Sequence, residues 1–272
     1  MLNRSRVKEF LLRTNPLTPR KRVEDVVEQL AWRIISGRLA PGDLLPSVRA
    51  IAQEFDINPS TAQIVLGQLS ALGFVETRPG IGAVVRDIRL YGGMSTWRYL
   101  FRFAHEVPDL AADVLADLLE LRLMLVFHTL ERIAAAPDRA NPGDARAAFA
   151  RMRALAQQGR CELQAFAEAE LEVARRCVFA VGQTAIIGTF NSLTDALWDT
   201  PLVIDAMYPN PSANIAVWDW VLDRWEQRTL CLRDVPRLRS LVKGFDRATI
   251  WRFRTLLLPG TAEASSAERA TG

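Results

Sequence analysis

The sequence has little of what metal binding, disulfide bonding or membrane insertion requires. Only two histidines occur in 272 residues, and the three cysteines, Cys161, Cys177 and Cys231, are far apart and odd in number. Such usage is typical of free thiols in a reducing cytoplasm rather than of a disulfide framework or a zinc site. No apolar run approaches the length of a membrane span, and charges interrupt the N-terminal segment where a signal peptide would be apolar. We therefore expect a cytoplasmic protein without a membrane partner.

Sequence motifs of catalysis are also missing. The chain has no phosphate-binding loop, no GxSxG nucleophile motif and no paired Cys/His arrangement. Its composition, 49% hydrophobic and 24% charged, is that of an ordinary globular protein. The sequence therefore predicts a protein that is not an enzyme and that uses no cofactor.

The modest net charge of +3 is unevenly distributed along the chain. The first 90 residues contain 13 Lys and Arg against 9 Asp and Glu, whereas the remainder is close to balanced. A basic excess at the front favours a polyanionic partner, although a solvated basic face is the alternative interpretation.

The composition and pattern of the sequence change at Gly92-Gly93. Short segments with turn signals precede this pair, and long Ala-, Leu-, Arg- and Glu-rich segments follow it. We predict a mainly α protein of two domains, the second of which is an all-α bundle. The predicted segments are an N-terminal arm (1–20), a first domain (21–86), a linker (87–95), a second domain (96–258) and a disordered tail (259–272).

The front of the chain has the order of a helix-turn-helix. A first helix, Arg22–Ser36, has apolar residues at three- and four-residue steps and is followed by Gly37. Ser47 is suited to cap a second helix, and Asn58-Pro59 to begin a third that ends near Leu72. The segment "FVETRPGIGAVV" then predicts two short strands around a glycine turn, which is a β-hairpin wing.

A winged helix-turn-helix places its third helix in the major groove. Gln63 can pair with an adenine edge, Arg49 can hold a phosphate or contact guanine, and Arg78 can add charge at the wing. The predicted DNA contacts are Ser47, Arg49, Ser60, Thr61, Gln63, Ile64, Arg78 and Gly80. Taken singly, each is also explained as a solvated side chain, a cap or a turn residue, and only the ordered set favours double-stranded DNA as the partner.

The stretch "LPSVRAIAQEFDINPSTAQIVLGQLSALGFVETRPGIGAVV", with "VVEQLAWRIISGRLAPG" before it, resembles the DNA-binding domain of the GntR transcription regulators over about residues 20–86. Many members carry one arginine just after the turn and another within the recognition helix. Here Pro59 and Gln63 occupy those places, which implies fewer guanine contacts than is usual in the family.

Residues 96–258 predict six or seven long helices, and helical bundles hold ligands between their helices. The first long helix is apolar at Leu115, Leu118, Leu119, Leu123 and Val126. The candidate effector-binding residues are Arg122, Asn191, Trp198, Tyr208 and Trp218. Each has a plainer interpretation, since tryptophans at helical spacing are usually core and an arginine such as Arg122 usually pairs with a nearby carboxylate.

This second half resembles the helical domain of FadR-type GntR regulators in "LLELRLMLV", "AFAEAELEVARRCVFAVGQTAIIGTFNSL" and "RTLCLRDVPRLRSLVKGF". Many such domains bind a metal through one aspartate and three histidines. This chain has Glu170 and Ala174 at one ligand segment, and we interpret His105 as a surface and His128 as a core histidine. The resemblance therefore implies the metal-free branch, with an acyl-CoA or another organic acid derivative as effector.

These features predict a ligand-responsive transcriptional regulator, a repressor or an activator. It would act as a homodimer on a pseudo-palindromic operator, because a two-fold dimer presents two recognition helices to two half-sites. The alternative is a DNA-binding regulator whose degenerate helical domain serves only dimerisation or a protein partner.

Overall fold

The computed structural model describes residues 19–158, 162–198 and 200–258. The predicted tail (259–272), most of the predicted arm (1–20) and Cys161 lie outside these ranges. The chain divides into two compact units, Met1–Tyr99 and Leu100–Gly272. Helices dominate both units, and the described strands form one small sheet, so the predicted mainly α class is confirmed.

In its described part, from residue 19 onward, the first unit contains five helices and one hairpin. These are α1 (Pro19–Ile35), α2 (Val48–Glu54), α3 (Pro59–Ala71), β1 (Val75–Arg78), β2 (Gly82–Val85), α4 (Ile88–Tyr91) and α5 (Met94–Arg102), of which the last crosses the unit boundary. The apolar face predicted for α1 is buried, including Leu30 at 0% exposure. This helix begins at Pro19, earlier than the expected Arg22, because proline is well tolerated in the first turn of a helix.

Side-chain caps fix the starts of the two helices of the helix-turn-helix. The Ser47 hydroxyl accepts a hydrogen bond from the Ala50 N–H at 3.2 Å, and Asn58 Oδ1 accepts one from the Thr61 N–H at 2.7 Å. Between the helices, Asp56 adopts a left-handed φ of 49°, which Asp tolerates better than most residues. These short-range bonds confirm the predicted helix starts.

The wing is an antiparallel hairpin with Val75 opposite Val85 and Arg78 opposite Gly82. The segment before α2 extends this sheet, since the Leu45 N–H donates to the Ala83 carbonyl at 2.8 Å. Strand β2 is therefore hydrogen-bonded along both of its edges, to β1 on one side and to this segment on the other.

The segment predicted as a linker contains α4 and packs onto the first unit. Ile88 is buried, and the Thr96 hydroxyl that follows the segment donates to the Leu72 carbonyl at 2.5 Å. The glycine pair interrupts the helices, as the sequence indicates, but the preceding residues bury an apolar side chain. The domain limits given above remain predictions.

The second unit is a bundle of helices. After the end of α5 come α6 (Pro108–Ala135), α7 (Gly143–Ala156), α8 (Leu163–Ala180), α9 (Thr184–Trp198), α10 (Pro201–Met207), α11 (Pro211–Glu226) and α12 (Asp234–Leu256). A short 3-10 turn, Pro137–Arg139, follows α6. Helix α7 packs along α8, and α6 packs along α12. In α6 the predicted leucines are buried, whereas Val126 is half-buried and faces a cavity.

Two glycines of the first unit should respond oppositely to alanine. Gly73 has φ +86°, and an added Cβ would lie 2.9 Å from the Tyr91 carbonyl oxygen. Gly67 is in α3 with open space around its Cα. We expect Gly73→Ala to lower the free energy of unfolding by about 1–3 kcal/mol. Gly67→Ala should raise it by roughly 0.5–1 kcal/mol. Urea denaturation of the full chain measures both, and equal effects would contradict the prediction.

Candidate nucleic-acid interface and helical-unit cavity

The outer surface near the start of α3 carries no charge. Ser60, Gln63 and Ile64 are exposed, the last at 54%, while Thr61 is half-buried with its N–H bonded to the Asn58 cap. The whole helix, PSTAQIVLGQLSA, contains no ionisable side chain. This helix can therefore read a base edge only through amide and hydroxyl hydrogen bonds and through apolar contact.

Arg49 lies on the second residue of α2 and is exposed. It forms no ion pair or hydrogen bond with any residue in the described ranges, so its guanidinium is available to a phosphate. Ser47 is exposed too, but its oxygen already accepts the bond that caps α2. Its hydroxyl hydrogen remains free to donate.

The wing places Arg78 and Gly80 at its far end. Arg78 donates to Glu76 from two nitrogens at 2.9 and 3.1 Å, so a phosphate would have to compete with this carboxylate. Gly80 adopts φ +75°, which a residue with a side chain rarely takes. Ile81, which the sequence analysis did not single out, is 60% exposed at this turn. The sequence feature that could have identified Ile81 as exposed is its position between two glycines at the tip of the predicted hairpin.

A cavity of about 280 Å³ lies within the second unit. Residues from α6 and from α8 to α12 line it, together with the connection between α10 and α11, and most are apolar. Of the candidate effector-binding residues, Arg122 and Trp218 are on its wall. An apolar cavity with a few polar groups is the usual form of a small-molecule site.

Arg122 and Asp246 form an ion pair on the cavity wall. The Nη2 atom of Arg122 lies 2.6 Å from the Oδ1 atom of Asp246, and the two side chains are only 16% and 12% exposed. Burial raises the pKa of the Asp246 carboxyl, which Arg122 only partly offsets and the charge of Glu170 reinforces. Burial alone would lower the pKa of Arg122, but the charges of Asp246 and Glu170 outweigh it and raise that pKa. Asp246 thus balances the charge of the buried Arg122 guanidinium.

Glu170 is buried and accepts hydrogen bonds from three uncharged donors. The Tyr208 hydroxyl donates to Oε2 at 2.5 Å, while the Asn214 side-chain amide and the Trp218 indole N–H each donate to Oε1 at 2.9 Å. Sequence analysis noted Glu170 only as a replaced metal ligand. Its role as a shared acceptor depends on residues of the later chain and had no local signal.

The other candidate residues lie elsewhere. Tyr208 is buried and does not itself line the cavity, but its hydroxyl donates to Glu170, which does. The side chain of Asn191 accepts a hydrogen bond from Arg175 at 2.8 Å and does not line the cavity. Trp198 ends α9, and its side chain lies outside the described part of the structure. The effector-binding roles of all five residues remain predictions.

The residues at the expected metal position do not fit a metal site. Both oxygens of Glu170 already accept hydrogen bonds, and the neighbouring cavity residue is Ala174, which offers no ligand atom. In the described ranges, no group of three His, Cys, Asp or Glu side chains could hold a metal ion. His128, expected in the core, is instead exposed, because it lies on the outer side of α6, and its Nε2 is 2.9 Å from the Gln183 side-chain nitrogen.

The described helices include none that is long and apolar enough to cross a membrane. The described elements of the first unit define a winged helix-turn-helix class of DNA-binding domain. Residues 22–85 match the family described as bacterial regulatory proteins, gntR family. This domain is therefore of the GntR type.

Similar curated proteins are described as HTH-type transcriptional regulators. The chain is 37% identical over 109 residues to the regulator Mce2R of Mycobacterium tuberculosis, covering 40% of this chain and 44% of that protein. It is 32% identical over 139 residues to the uncharacterized regulator Rv0494 of the same species, covering 51% and 54%. The chain thus spans about half the length of the curated relatives it matches.

A solved structure described as Lar, which controls the expression of the agr system of Listeria monocytogenes, shares the fold over most of the chain. The TM-score is 0.53 at 15% identity, and the match covers 86% of this chain and 97% of that one. This likeness supports a helix-turn-helix domain followed by a helical domain, as the sequence predicted.

Loss of one donor to Glu170 should destabilise the second unit. Tyr208→Phe keeps the buried ring but removes the hydroxyl that donates to the carboxylate. We expect the free energy of unfolding to fall by about 1–3 kcal/mol. Tyr91→Phe is the matched control, because Tyr91 is 53% exposed and its ring keeps its contact with Arg86. Urea denaturation showing equal stability for the two variants would refute the role of the hydrogen bond.

Proposed function

We propose that the chain is a transcriptional regulator of the FadR-like branch, active as a homodimer on a pseudo-palindromic DNA operator. The observation that carries the proposal is the exposed, uncharged start of α3 within a domain of GntR type, together with Arg49 on α2, which no described residue pairs with. Phosphate contacts give position and affinity, whereas contacts to base edges give sequence preference. A cytoplasmic location goes with this proposal.

The helical unit would supply the response to a small molecule. Its apolar cavity supports this part of the proposal, and an acyl-CoA or another organic acid derivative is the candidate effector class. An effector changes DNA affinity only if it binds the two DNA-affinity states unequally. The sign of the response, repression relieved or activation lost, follows from which state the effector favours.

Dimerisation would belong to the same proposal. The second unit exposes large apolar side chains, among them Met124, Leu241 and Trp251, the last at 68%. Such side chains mark a protein interface where they form one contiguous patch, so this part of the proposal requires them to lie together on the surface. Sedimentation velocity of the purified chain tests the oligomeric state directly, and a monomer at operator-binding concentrations would contradict this part.

One observation favours the alternative function. Glu170 is already satisfied by donors of the protein itself, so the polar cluster beside the cavity does not require a ligand. A helical unit that only dimerises or binds a protein partner would then suffice. Thermal unfolding with acyl-CoAs of several chain lengths, small carboxylates and their uncharged derivatives separates the two functions, because a ligand of the folded state raises the midpoint. No shift with any compound supports the alternative.

Arg49→Ala should weaken operator binding and its dependence on salt. Each lost phosphate contact reduces the slope of log K against log salt by about 0.9, and a dimer loses one contact per protomer. Arg89→Ala is the matched control, since Arg89 is exposed but paired with Asp87 at 2.8 Å. Fluorescence anisotropy over a salt series measures both, and an unchanged slope in Arg49→Ala would remove it from the phosphate contacts.

Gln63→Ala should relax base preference at one position of each half-site. The lost amide pairing with an adenine edge corresponds to roughly 1–3 kcal/mol of discrimination. Gln68→Ala, at the exposed far end of the same helix, should leave preference unchanged. Selection from a random DNA library gives the motif of each protein, and identical motifs for Gln63→Ala and the unmodified protein would refute this role.

A further inference from the structure

Two arginines line the cavity of the second unit, and they differ in what balances their charge. Arg122 pairs with Asp246, and the charge of Glu170 also acts on it. For Arg252, burial lowers the pKa of the guanidinium, and no carboxylate opposes this shift. The positive charge of Arg252 is therefore left without a counter-ion among the described residues.

Two hydrogen bonds nevertheless hold Arg252 in place. Its Nε donates to the Ala206 carbonyl at 2.6 Å, and its Nη2 donates to the Thr249 hydroxyl at 3.3 Å. Thr249 also lines the cavity and lies three positions before Arg252 on α12, so these bonds fix the guanidinium beside the cavity. A group that the protein already holds in position loses little conformational freedom when a ligand binds to it.

The third nitrogen of this guanidinium remains accessible. In the described ranges, the buried side-chain nitrogens and oxygens without a hydrogen-bond partner are Arg122 Nε, Gln183 Oε1 and Arg239 Nε. Arg252 Nη1 is not one of them, although it also bonds to no described residue, so it keeps exposed surface. This atom can therefore meet a ligand, whereas the enclosed Nε of Arg122 cannot.

The Thr249 hydroxyl can supply a second donor. Its oxygen accepts the bond from Arg252, but its hydrogen donates to no described residue. Because a hydroxyl both donates and accepts, it can keep this bond and still donate to a ligand oxygen. A carboxylate accepts such bonds readily, and those from a guanidinium are strengthened by the opposite charges.

The two carboxylates of the wall act on the other arginine. Asp246 and Glu170 both raise the pKa of Arg122, whereas neither contributes to the pKa of Arg252. Asp246 lies six residues before Arg252 on α12, which is about 9 Å along the helix axis. A ligand carboxylate at Arg252 therefore meets less repulsion from these groups than one at Arg122.

The remainder of the cavity suits an apolar body. Aliphatic and aromatic side chains make up most of its wall. Its volume of about 280 Å³ is roughly twice that of an engineered apolar cavity of about 150 Å³ that binds benzene. A short acyl chain or a small ring fits a space of this size.

We propose that Arg252 and Thr249 form an anion-binding end of this cavity, and that its ligand is a small monocarboxylate with an apolar body. The carboxylate accepts hydrogen bonds from Arg252 Nη1 and from the Thr249 hydroxyl, and the apolar body occupies the rest of the cavity. This inference rests on the proposed ligand response and assigns to it a ligand class and the residues that select it.

Octanoate and methyl heptanoate test the ligand class, because octanoic acid and the ester are isomers of which only the acid can ionise. We expect isothermal titration calorimetry of the full chain at neutral pH to give binding about tenfold tighter for octanoate, since hydrogen bonds to an ionised group are the stronger ones. Equal or tighter binding of the ester would overturn the proposal.

Arg252→Gln tests the residue assignment, because it removes the charge but keeps a donor for the Ala206 carbonyl. It should weaken octanoate binding about tenfold and leave binding of the ester within about twofold. Arg247→Gln is the matched control, since Arg247 is exposed on the same helix and does not line the cavity.

Two results with Arg252→Gln would contradict the assignment. An equal loss of affinity for both ligands would indicate that Arg252 only supports the fold of the cavity. Unchanged octanoate binding would mean that another donor, such as a different nitrogen of Arg122, holds the carboxylate.

Thr249→Val keeps the shape of the side chain but removes the hydroxyl. It should weaken octanoate binding several-fold and leave binding of the ester unchanged. This variant decides the question if Arg252→Gln fails to fold, because undiminished octanoate binding would show that the carboxylate does not lie at this end of the cavity.

The inference and the proposed function fail in different ways. If the ester binds as tightly as octanoate, the anion-binding end is wrong and the ligand response stands. If no compound binds while the chain still binds its operator with the expected salt slope, both the inference and the ligand response are wrong, and DNA binding stands.

Discussion

The buried carboxylate of Glu170 joins α8 to Tyr208 and to two side chains of α11 in the second unit. A carboxylate away from water is tolerated only with hydrogen-bonding partners, and three helical-unit residues supply them through uncharged donors. The negative charge of Glu170 helps to raise the pKa of Arg122, although the ion pair of Arg122 is with Asp246. The carboxylates of Glu170 and Asp246 are therefore both paired within the protein, and the space that remains beside them is mostly apolar.

The first unit was largely predictable because its determinants are local. Ser47 and Asn58 bond to residues three positions later, and Gly73 takes a positive φ immediately after α3. Signals of this range are complete within a short window of sequence. Two features differ from the sequence prediction. Helix α1 begins earlier than expected, since proline is tolerated in the first turn of a helix. The expected linker contains the short helix α4, in which the apolar side chain of Ile88 is buried.

The cavity was predictable only in outline. Helical periodicity indicated a bundle, but the ion pair joins Arg122 to a residue 124 positions away, and Tyr208 reaches a carboxylate 38 positions before it. No periodic pattern specifies which polar groups meet across a bundle. The sequence therefore allowed candidates to be chosen only by the chemistry of their side chains. Arg122 and Trp218, chosen in this way, line the cavity, whereas Asn191 does not. Asp246 lines the cavity but was not predicted.

The candidate DNA interface separates affinity from sequence preference. The helix expected to face the bases is uncharged, so the electrostatic attraction must come from residues outside it, such as Arg49 and the wing. On the wing, Arg78 is partly neutralised by Glu76, which also lies 3.7 Å from Arg86. In the function that we propose, Arg49 supplies part of the phosphate attraction, while Gln63 and the exposed Ile64 offer one amide and one apolar contact. Adenine edges and thymine methyl groups match those two contacts, so we expect A·T pairs to be favoured where this helix meets the major groove.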